Sequence, residues 1–337
     1  MANLTNFIIA FLITAILLYE LQPLAVRIGL VDSPNERKFH KGQIPLIGGI
    51  AMFFGFILAL FSLKEVVGLE PLIASAAILM IVGILDDIHN LSVSIRFFAQ
   101  VVAALFMVFG GDIILQNLGA IGLQGSGIEL GYFTALIFTV LAVIMAINAL
   151  NMCDGINGLA GGLTLITLSA LAFIAWNANL IHSMNVLLLL IATVVAFLRF
   201  NLRALVFMGD AGSMFLGVVV VWFLISFSQG EQRAMTAATA LWIFALPLLD
   251  TGSMTIRRLV KGHSPFKPDR GHLHHLFLDA GFSGIKTLFI ILSLAVSLAV
   301  VGIFGLYFDV AEVIMFWGFI SLFFVYFCLV SWMNKLV

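Results

Sequence analysis

The chain has 337 residues, of which 62% are hydrophobic and only 10% are charged, and its mean hydropathy is +1.17. A soluble domain carries roughly 25% charged residues, so this composition excludes a soluble globular protein and indicates an integral membrane protein. The formal net charge of −1 points to no partner, and we expect no nucleic-acid binding. Cys153 and Cys328 are too far apart in sequence and context to suggest a disulfide framework.

A helix needs about 20 apolar residues to cross the hydrocarbon core of a bilayer. Applied along the chain, this length predicts an all-α fold, a polytopic membrane helix bundle with about eleven transmembrane helices in one domain covering residues 1–337. The predicted spans lie near 4–25, 45–63, 70–86, 94–110, 131–149, 158–176, 183–200, 212–228, 236–256, 286–307 and 311–333.

The orientation of these spans follows from the basic residues, which are enriched in cytoplasmic loops. Of the 16 Lys and Arg residues, all but Lys64 and Arg233 fall in one set of loops. We therefore predict that the N-terminus is outside and that the C-terminus is cytoplasmic. The predicted cytoplasmic loops lie near 26–44, 86–94, 149–158, 200–212 and 257–285.

Four polar clusters interrupt the apolar chain, and all of them fall on the predicted cytoplasmic face. Three of the clusters contain the carboxylates Asp86, Asp87, Asp154 and Asp210, close to predicted helix ends. Charged groups in such places are costly and are usually functional. Mg²⁺ binds one or two carboxylates in proteins and keeps positions open for substrate phosphates. The set predicts a metal and phosphate site, although helix capping is the alternative for any one member.

The second cluster has a regular spacing. Asn148, Asn151, Asp154 and Asn157 recur every third residue, so a helical stretch would place them along one edge. Amide and carboxylate oxygens along one edge could serve a metal ion or a polar substrate. Gly155 and its neighbouring glycines would let a ligand approach the backbone closely.

The fourth cluster is a basic loop with a histidine run. Arg270, His272, His274 and His275 could bind a diphosphate or a sugar, because arginine is suited to phosphate oxygens. Zinc is the alternative for the histidines, but no cysteine pair or close carboxylate completes a tetrahedral set. For three basic residues upstream, the enrichment of basic residues in cytoplasmic loops is the alternative to phosphate binding. They are Arg257, Arg258 and Lys261.

Two further features could contribute to a substrate site. The first loop contains Asp32 and Arg37 among turn-forming residues, and it is either a substrate wall or a plain solvated connector. Arg96 follows the Asp86–Asp87 pair closely and could hold an anionic lipid head group, or it could simply reach the membrane interface.

Together these features indicate a Mg²⁺-dependent reaction at the cytoplasmic surface between a phosphorylated substrate and a lipid entering from the bilayer. The alternative class is an ion-coupled transporter, for which carboxylates near mid-span and an inverted repeat are expected. The acids here lie at span ends and no repeat is evident, so the sequence favours an enzyme.

The same motifs resemble the polyprenyl-phosphate N-acetylhexosamine-1-phosphate transferases nearly end to end. The stretch 264–270 with the histidine run His272–His275 is highly specific and is similar to the N-acetylglucosamine (WecA) branch rather than the muramoyl-pentapeptide branch. The other matching stretches are 29–35 with Arg37 and His40, 44–49, 85–87, 148–158, 206–213, 240–250 and 276–282.

The resemblance implies a bundle of about ten or eleven helices in the bacterial inner membrane, with its active site on the cytoplasmic face. It implies that undecaprenyl phosphate attacks the β-phosphorus of UDP-N-acetylglucosamine and that UMP is released, initiating lipid-linked cell-envelope polysaccharide synthesis. The implied cofactor is Mg²⁺, with Mn²⁺ as a substitute, and a homodimer is left open. Another UDP-N-acetylhexosamine as donor is the alternative within the family.

The resemblance also implies roles for individual residues. Asn151 and Asp210 would bind Mg²⁺, Asp86 or Asp87 would deprotonate or orient the lipid phosphate, and Arg96 would pair with that phosphate. The nucleotide-sugar pocket would be lined by Asp154 with Asn148 and Asn157, by Asp32 and Arg37 in the first loop, and by Arg270, His272, His274 and His275.

One position departs from the family pattern. Bacterial relatives often have Asp where this chain has Asn157. An amide carries no charge and cannot act as a general base. The departure therefore favours direct attack, with Asp86 or Asp87 as the base.

Overall fold

The structure is a computed structural model that describes residues 2–33, 42–63, 66–122, 127–230, 233–262 and 271–336. Most of the chain in these ranges is helical. The helices are α1 Ala2–Ile28, α2 Gly48–Leu63, α3 Glu70–His89, α4 Val93–Gly111, α5 Tyr132–Met152, α6 Leu159–Asn177, α7 Ile181–Asn201, α8 Gly209–Ser228, α9 Ala237–Ile243, α10 Ala245–Val260, α11 Leu273–Asp279, α12 Gly284–Tyr307 and α13 Glu312–Leu336. The strands are β1 Val31–Asp32 and β2 Ile44–Pro45, which pair antiparallel.

The prediction of an all-α polytopic membrane protein is confirmed. Nine helices within the described ranges are long and apolar enough to cross a membrane, namely α1, α3 to α8, α12 and α13. Each of the eleven predicted spans falls on a helix or a helix pair, but two are not simple spans. The second predicted span is the 16-residue helix α2, which is short for a bilayer.

The ninth predicted span, near 236–256, is broken. Helices α9 and α10 meet at Phe244 with an angle of 83° between them. Pro247 explains the break, because its ring clashes with the carbonyl of the residue four positions earlier, Ile243. A straight helix through both residues is therefore disfavoured, and the bend lies at this point. The total of eleven spans stays a prediction.

Helix α8 is the centre of the bundle and is buried along nearly its whole length. It packs chiefly against α3 and α5. Small residues allow these backbones to approach closely, as is common between membrane helices. A Cβ added at Gly83 of α3 would overlap the backbone of Ala211, and one added at Gly217 would lie 2.7 Å from the Cα of Ile147 in α5.

We expect Gly83→Ala to destabilise the protein by about 1–3 kcal/mol, because the added methyl group meets backbone that cannot move aside cheaply. The measurement is the thermal unfolding midpoint in detergent. Gly284→Ala is the matched control, since a Cβ there meets nothing within 4 Å. Equal midpoints for the two variants would contradict the close approach of α3 and α8.

The face of the bundle that holds the ends of α3 and α5 and the starts of α2 and α8 is called the site face below. Two backbone hydrogen bonds join the start of α2 to the residues before α8. Gly48 N–H donates to the Phe207 carbonyl at 2.9 Å, and Gly49 N–H donates to the Met208 carbonyl at 3.0 Å. Phe207 N–H in turn donates to Pro45 in β2 at 2.9 Å, so the base of the first loop is attached to the same face.

The connection between α4 and α5 lies at the opposite end of the bundle. There the Gln229 side chain, just after α8, accepts from Asn117 N–H at 2.8 Å and donates to the Asn117 carbonyl at 2.9 Å. Glu312 at the start of α13 accepts from Ala120 N–H at 2.9 Å. The loop predicted to be external and the polar clusters of the site face therefore lie at opposite ends of the bundle.

Candidate active site

Three helices bring an acid cluster together on the site face. Asp210 lies in the first turn of α8, and its carboxylate accepts a hydrogen bond of 2.5 Å from the amide of Asn151 in the last turn of α5. The same amide donates to the Ser213 hydroxyl at 2.8 Å. The carboxyl group of Asp86, at the end of α3, lies close to that of Asp210. The structure thus brings together three residues that are far apart in sequence.

Asp87 caps helix α8 from the end of α3. Its Oδ1 accepts from Asp210 N–H at 2.9 Å, and its Oδ2 faces Ala211 N–H at 3.3 Å. The first N–H groups of a helix have no partner within the helix, and a carboxylate there is favoured by the helix dipole. Gly209 has a φ of +72°, and a Cβ added there would lie 2.6 Å from Asp87 Oδ2. Capping, the alternative considered for each acid, therefore applies to Asp87.

Asp86 is buried and is held by two other contacts. Its Oδ1 accepts from Leu91 N–H at 2.7 Å, and its Oδ2 pairs with Arg96 Nη1 at 3.0 Å. The Arg96 side chain is 28% exposed, whereas that of Asp86 is 4% exposed. The guanidinium is therefore attached to the acid cluster and still reaches the surface, where it could meet an anionic group.

The donor set fits a hard divalent cation. The Asp86 and Asp210 carboxyl groups lie close together, and a cation between them would relieve the repulsion between their negative charges. In the described part of the chain, no group of three or more His, Cys, Asp or Glu side chains is arranged as a complete metal shell. Mg²⁺ does not need one, because it binds through one or two carboxylates together with water and substrate phosphates.

The segment after α5 departs from the helical edge that the spacing suggested. Helix α5 ends at Met152, so Asn148 and Asn151 are helical, whereas Asp154 and Asn157 lie in the turns before α6. Asp154 is half-buried, and burial, followed by the negative charge of Asp210, raises its pKa from 3.8 to about 7. The turn thus places Asp154 near enough to the acid cluster to sense its charge.

Asn148 makes an interhelical contact. Its amide donates to the Gln100 side chain of α4 at 2.8 Å and to the Ile144 carbonyl at 2.8 Å. Gln100 is only 1% exposed, so this pair links α4 to α5 inside the bundle. The amide nitrogen of Asn148 is thereby occupied, and substrate binding through Asn148 would have to use its carbonyl oxygen.

Asp250 in α10 has no role in the prediction from sequence, yet it organises the histidine run. It is 4% exposed and accepts hydrogen bonds from Leu273 N–H at 3.0 Å and from the Tyr326 hydroxyl at 2.8 Å. Its other oxygen lies 2.8 Å from His272 Nδ1. A lone acid within an apolar stretch was the available signal.

His274 is buried at 2% exposure and is packed against the turn that carries Asp154. Its Nε2 lies so close to Gly155 that an added Cβ would overlap it. The ring of His274 lies 4.2 Å from that of His275 and 5.9 Å from that of His272. Burial and then the neighbouring His275 lower the pKa of His274 from 6.5 to about 3. His274 is therefore neutral at physiological pH and joins α11 to the Asp154 turn.

The low pKa of His274 predicts an acid-sensitive fold. The unfolded chain binds a proton at His274 below about pH 6.5, and the folded chain does so only near pH 3. Stability is thus lost as pH falls below 6.5, by about 2 kcal/mol for this group at pH 5. We expect the unfolding midpoint to fall between pH 7 and pH 5, and His274→Asn to flatten that decline. An identical decline in the variant would contradict this role.

The remaining predicted residues lie on or near the first and last of the loops predicted to be cytoplasmic. Asp32 is the second residue of β1 at the base of the first loop, and His275 lies half-buried in α11. Arg37 and Arg270 lie outside the described residues, so their predicted roles stay predictions. The Arg257 guanidinium donates to the Gly271 carbonyl at 2.8 Å, which ties α10 to the residue before the histidine run.

Comparison with known proteins gives a consistent result. Residues 70–228, which include the acid cluster, match the family model described as glycosyl transferase family 4. The chain is 40% identical to the undecaprenyl-phosphate alpha-N-acetylglucosaminyl 1-phosphate transferase of Pasteurella multocida, over 96% of this chain and 92% of the relative. It is 39% identical to the protein of that name from Haemophilus influenzae, over 94% and 91% of the two chains.

The protein of that name from Escherichia coli K12 is 38% identical over 96% of this chain and 89% of the relative. Identity at this level across almost the whole length includes the helices that form the acid cluster and the helix that carries the histidine run. An enzyme is thereby favoured over an ion-coupled transporter. The chain belongs to the family of undecaprenyl-phosphate alpha-N-acetylglucosaminyl 1-phosphate transferases, within glycosyl transferase family 4.

Proposed function

We propose that this protein transfers N-acetylglucosamine 1-phosphate from UDP-N-acetylglucosamine to undecaprenyl phosphate and releases UMP. The observation that carries the proposal is the near full-length similarity to transferases named for this reaction. The acid cluster of Asp86 and Asp210, with Asn151 beside it, supports the proposal. Transfer of a phosphoryl group between two phosphates requires the negative charge on that group to be held and neutralised.

The proposed reaction is a displacement at phosphorus. An oxygen of undecaprenyl phosphate attacks the β-phosphorus of the nucleotide sugar and forms a new diphosphate bond. The bond from that phosphorus to the bridging oxygen breaks, and UMP leaves with the electron pair. We assign proton acceptance from the lipid phosphate to Asp86, because it is bound to Arg96, the residue expected to hold that phosphate. Arg96, already paired with Asp86, would hold the incoming phosphate at the surface.

Asp210 would hold a Mg²⁺ ion together with substrate phosphates, with Asn151 and Asp86 beside it, and Mn²⁺ would fit the same oxygen ligands. When bound, the ion would neutralise the diphosphate and stabilise negative charge on the transferring group. Asn151 contributes by orienting the Asp210 carboxylate, since its amide contacts both Asp210 and Ser213. Asp154, Asn157 and His272 would face the nucleotide sugar.

The test uses purified protein, undecaprenyl phosphate and UDP-N-acetylglucosamine tritiated in the sugar. We expect label to pass into the lipid phase with an equal amount of UMP released, and EDTA to stop both. Release of UDP would mean transfer of the sugar alone and would overturn the reaction proposed. Transfer only from another UDP-N-acetylhexosamine would keep the family reaction and replace the donor.

We further propose that the protein resides in the bacterial inner membrane with its site face in the cytoplasm. The basic residues support this orientation, since most lie in the loops on that side. In a Cys328→Ala background we expect a membrane-impermeant maleimide to label Asp112→Cys in intact cells and to spare Lys261→Cys. Both positions are exposed, and the remaining Cys153 is buried. The reverse pattern would invert the topology.

A further inference from the structure

The buried carboxylate of Asp250 is fully engaged by two other helices. Its Oδ1 accepts from Leu273 N–H at 3.0 Å and from the Tyr326 hydroxyl at 2.8 Å, and its Oδ2 lies 2.8 Å from His272 Nδ1. A buried acid without partners is costly in a membrane helix. Hydrogen bonds from the start of α11 and from α13 offset that cost. The position of α11 therefore depends on Asp250.

The contact also determines how His272 can be used. An ionised carboxylate only accepts hydrogen bonds, so the proton must reside on Nδ1 of the imidazole. Nε2 is then the ring nitrogen left for another partner. The ring is 6% exposed, which limits its freedom to turn over. Carboxylates that bind one nitrogen of a functional histidine fix both its tautomer and its orientation in this way.

Asp250 also sets the direction of the helix that follows. Leu273 N–H is the first helical N–H of α11, and its acceptor is the same carboxylate that binds His272. Helix α11 carries His274, whose Nε2 is packed against Gly155 in the Asp154 turn. A shift of Asp250 would therefore move His272 directly and would disturb the Asp154 turn through His274.

We propose that Asp250 is a positioning residue for the transfer reaction. It holds His272 with Nδ1–H donated to the carboxylate and with Nε2 available to the nucleotide sugar. The proposal rests on the proposed function and adds a residue that acts through His272 rather than on substrate.

The first test replaces Asp250 by Asn. The amide oxygen would keep accepting from Leu273 and Tyr326, so the amide nitrogen would face His272 Nδ1. The amide donates to His272 Nδ1, so Nδ1 must act as the acceptor and the imidazole proton moves to Nε2. We expect kcat/KM for UDP-N-acetylglucosamine to fall roughly 10- to 100-fold, with an unchanged KM for undecaprenyl phosphate. Wild-type kinetics in a folded Asp250→Asn protein would overturn the proposal.

Tyr326→Phe is the matched control, because it removes one donor to Asp250 from the same buried network and leaves His272 untouched. We expect it to keep most of its activity. His272→Asn completes a double-mutant cycle. If Asp250 acts through His272, adding Asp250→Asn to His272→Asn costs no further activity. Losses that multiply would mean that Asp250 acts independently of His272, which contradicts the proposal.

A spectroscopic test does not depend on the folding of Asp250→Asn. The ¹⁵N resonances of His272 in the wild-type protein are identified by their absence from His272→Asn. We expect Nδ1 to be protonated, and an imidazole protonated at Nε2 alone would refute the proposal. If the wild-type protein released no UMP at all, the proposed function would fail, while the tautomer would still be decided by this spectrum.

Discussion

Asp210→Asn is expected to reduce UMP release at least 1,000-fold, in line with removal of a group that stabilises developing charge, while the protein stays folded. Asp210 is the residue at which α3, α5 and α8 converge, through Asp86, Asn151 and the backbone contact of Asp87. An amide in its place keeps the shape and removes the charge that would hold the cation. Steady-state turnover with UDP-N-acetylglucosamine and undecaprenyl phosphate gives the measurement.

Asp309→Asn provides the matched control for this substitution. Asp309 is exposed just beyond α12 and has a φ of +50°, a conformation that Asn also tolerates. Its activity should equal that of the wild type. Similar thermal unfolding midpoints for Asp210→Asn and the wild type would establish that the loss arises from chemistry. Substantial turnover by Asp210→Asn would remove Asp210 from the centre of the site.

Asp87→Asn is expected to act differently, through the start of α8. Asp87 accepts from one backbone N–H with each oxygen, and an amide has only one oxygen with which to do so. The Asn nitrogen would face an N–H group, which should cost about 1–2 kcal/mol of stability, as for the loss of a helix cap. Asp210 would then be displaced, so we expect turnover to fall by about 100-fold, as for a misplaced catalytic group.

The distinguishing measurement is the Mg²⁺ dependence of turnover. A displaced Asp210 should raise the Mg²⁺ concentration required by Asp87→Asn, and added Mg²⁺ should restore part of the activity. Asp112→Asn, at an exposed position on the opposite face, should change neither stability nor Mg²⁺ dependence. Full stability together with an unaltered Mg²⁺ requirement in Asp87→Asn would contradict the capping role and would favour direct participation of Asp87.

Much of the site could be predicted from sequence because acids are rare in this chain and stand at helix ends. Asp86 and Asp210 lie more than 120 residues apart, yet both were assigned to the same face by counting spans. The family resemblance then supplied the reaction. Hydropathy and charge placement are sufficient for this step, since a span fixes the side of the membrane on which each loop lies.

The sequence could not predict which side chains contact each other. The sequence pattern does not distinguish Asp86 from Asp87. In the structure, Asp86 pairs with Arg96, whereas Asp87 accepts hydrogen bonds from the backbone of α8. Neighbouring residues at a helix end point in different directions, so their partners depend on tertiary packing. The same limit concealed the contact of Asn148 with Gln100, which joins two different helices.

Two local features show where pattern analysis failed for identifiable reasons. The three-residue spacing from Asn148 onward suggested a helical edge, but helix α5 ends at Met152. The ninth span had sufficient apolar length, but Pro247 disfavours a straight helix through Ile243, and the span is bent there. In both cases a turn-forming or helix-breaking residue interrupts the periodicity. In both, the irregular backbone lies beside a residue for which a role is proposed, Asp154 or Asp250.

The bond that breaks in UDP-N-acetylglucosamine distinguishes transfer of the sugar phosphate from transfer of the sugar alone. UDP-N-acetylglucosamine labelled with ³²P at the β-phosphorus and with tritium in the uridine would be incubated with the protein, Mg²⁺ and undecaprenyl phosphate. We predict that ³²P passes into the lipid phase while tritium stays in solution as UMP. If ³²P remained with the uridine as UDP, the protein would transfer the sugar alone, and the roles assigned to the acid cluster would be contradicted.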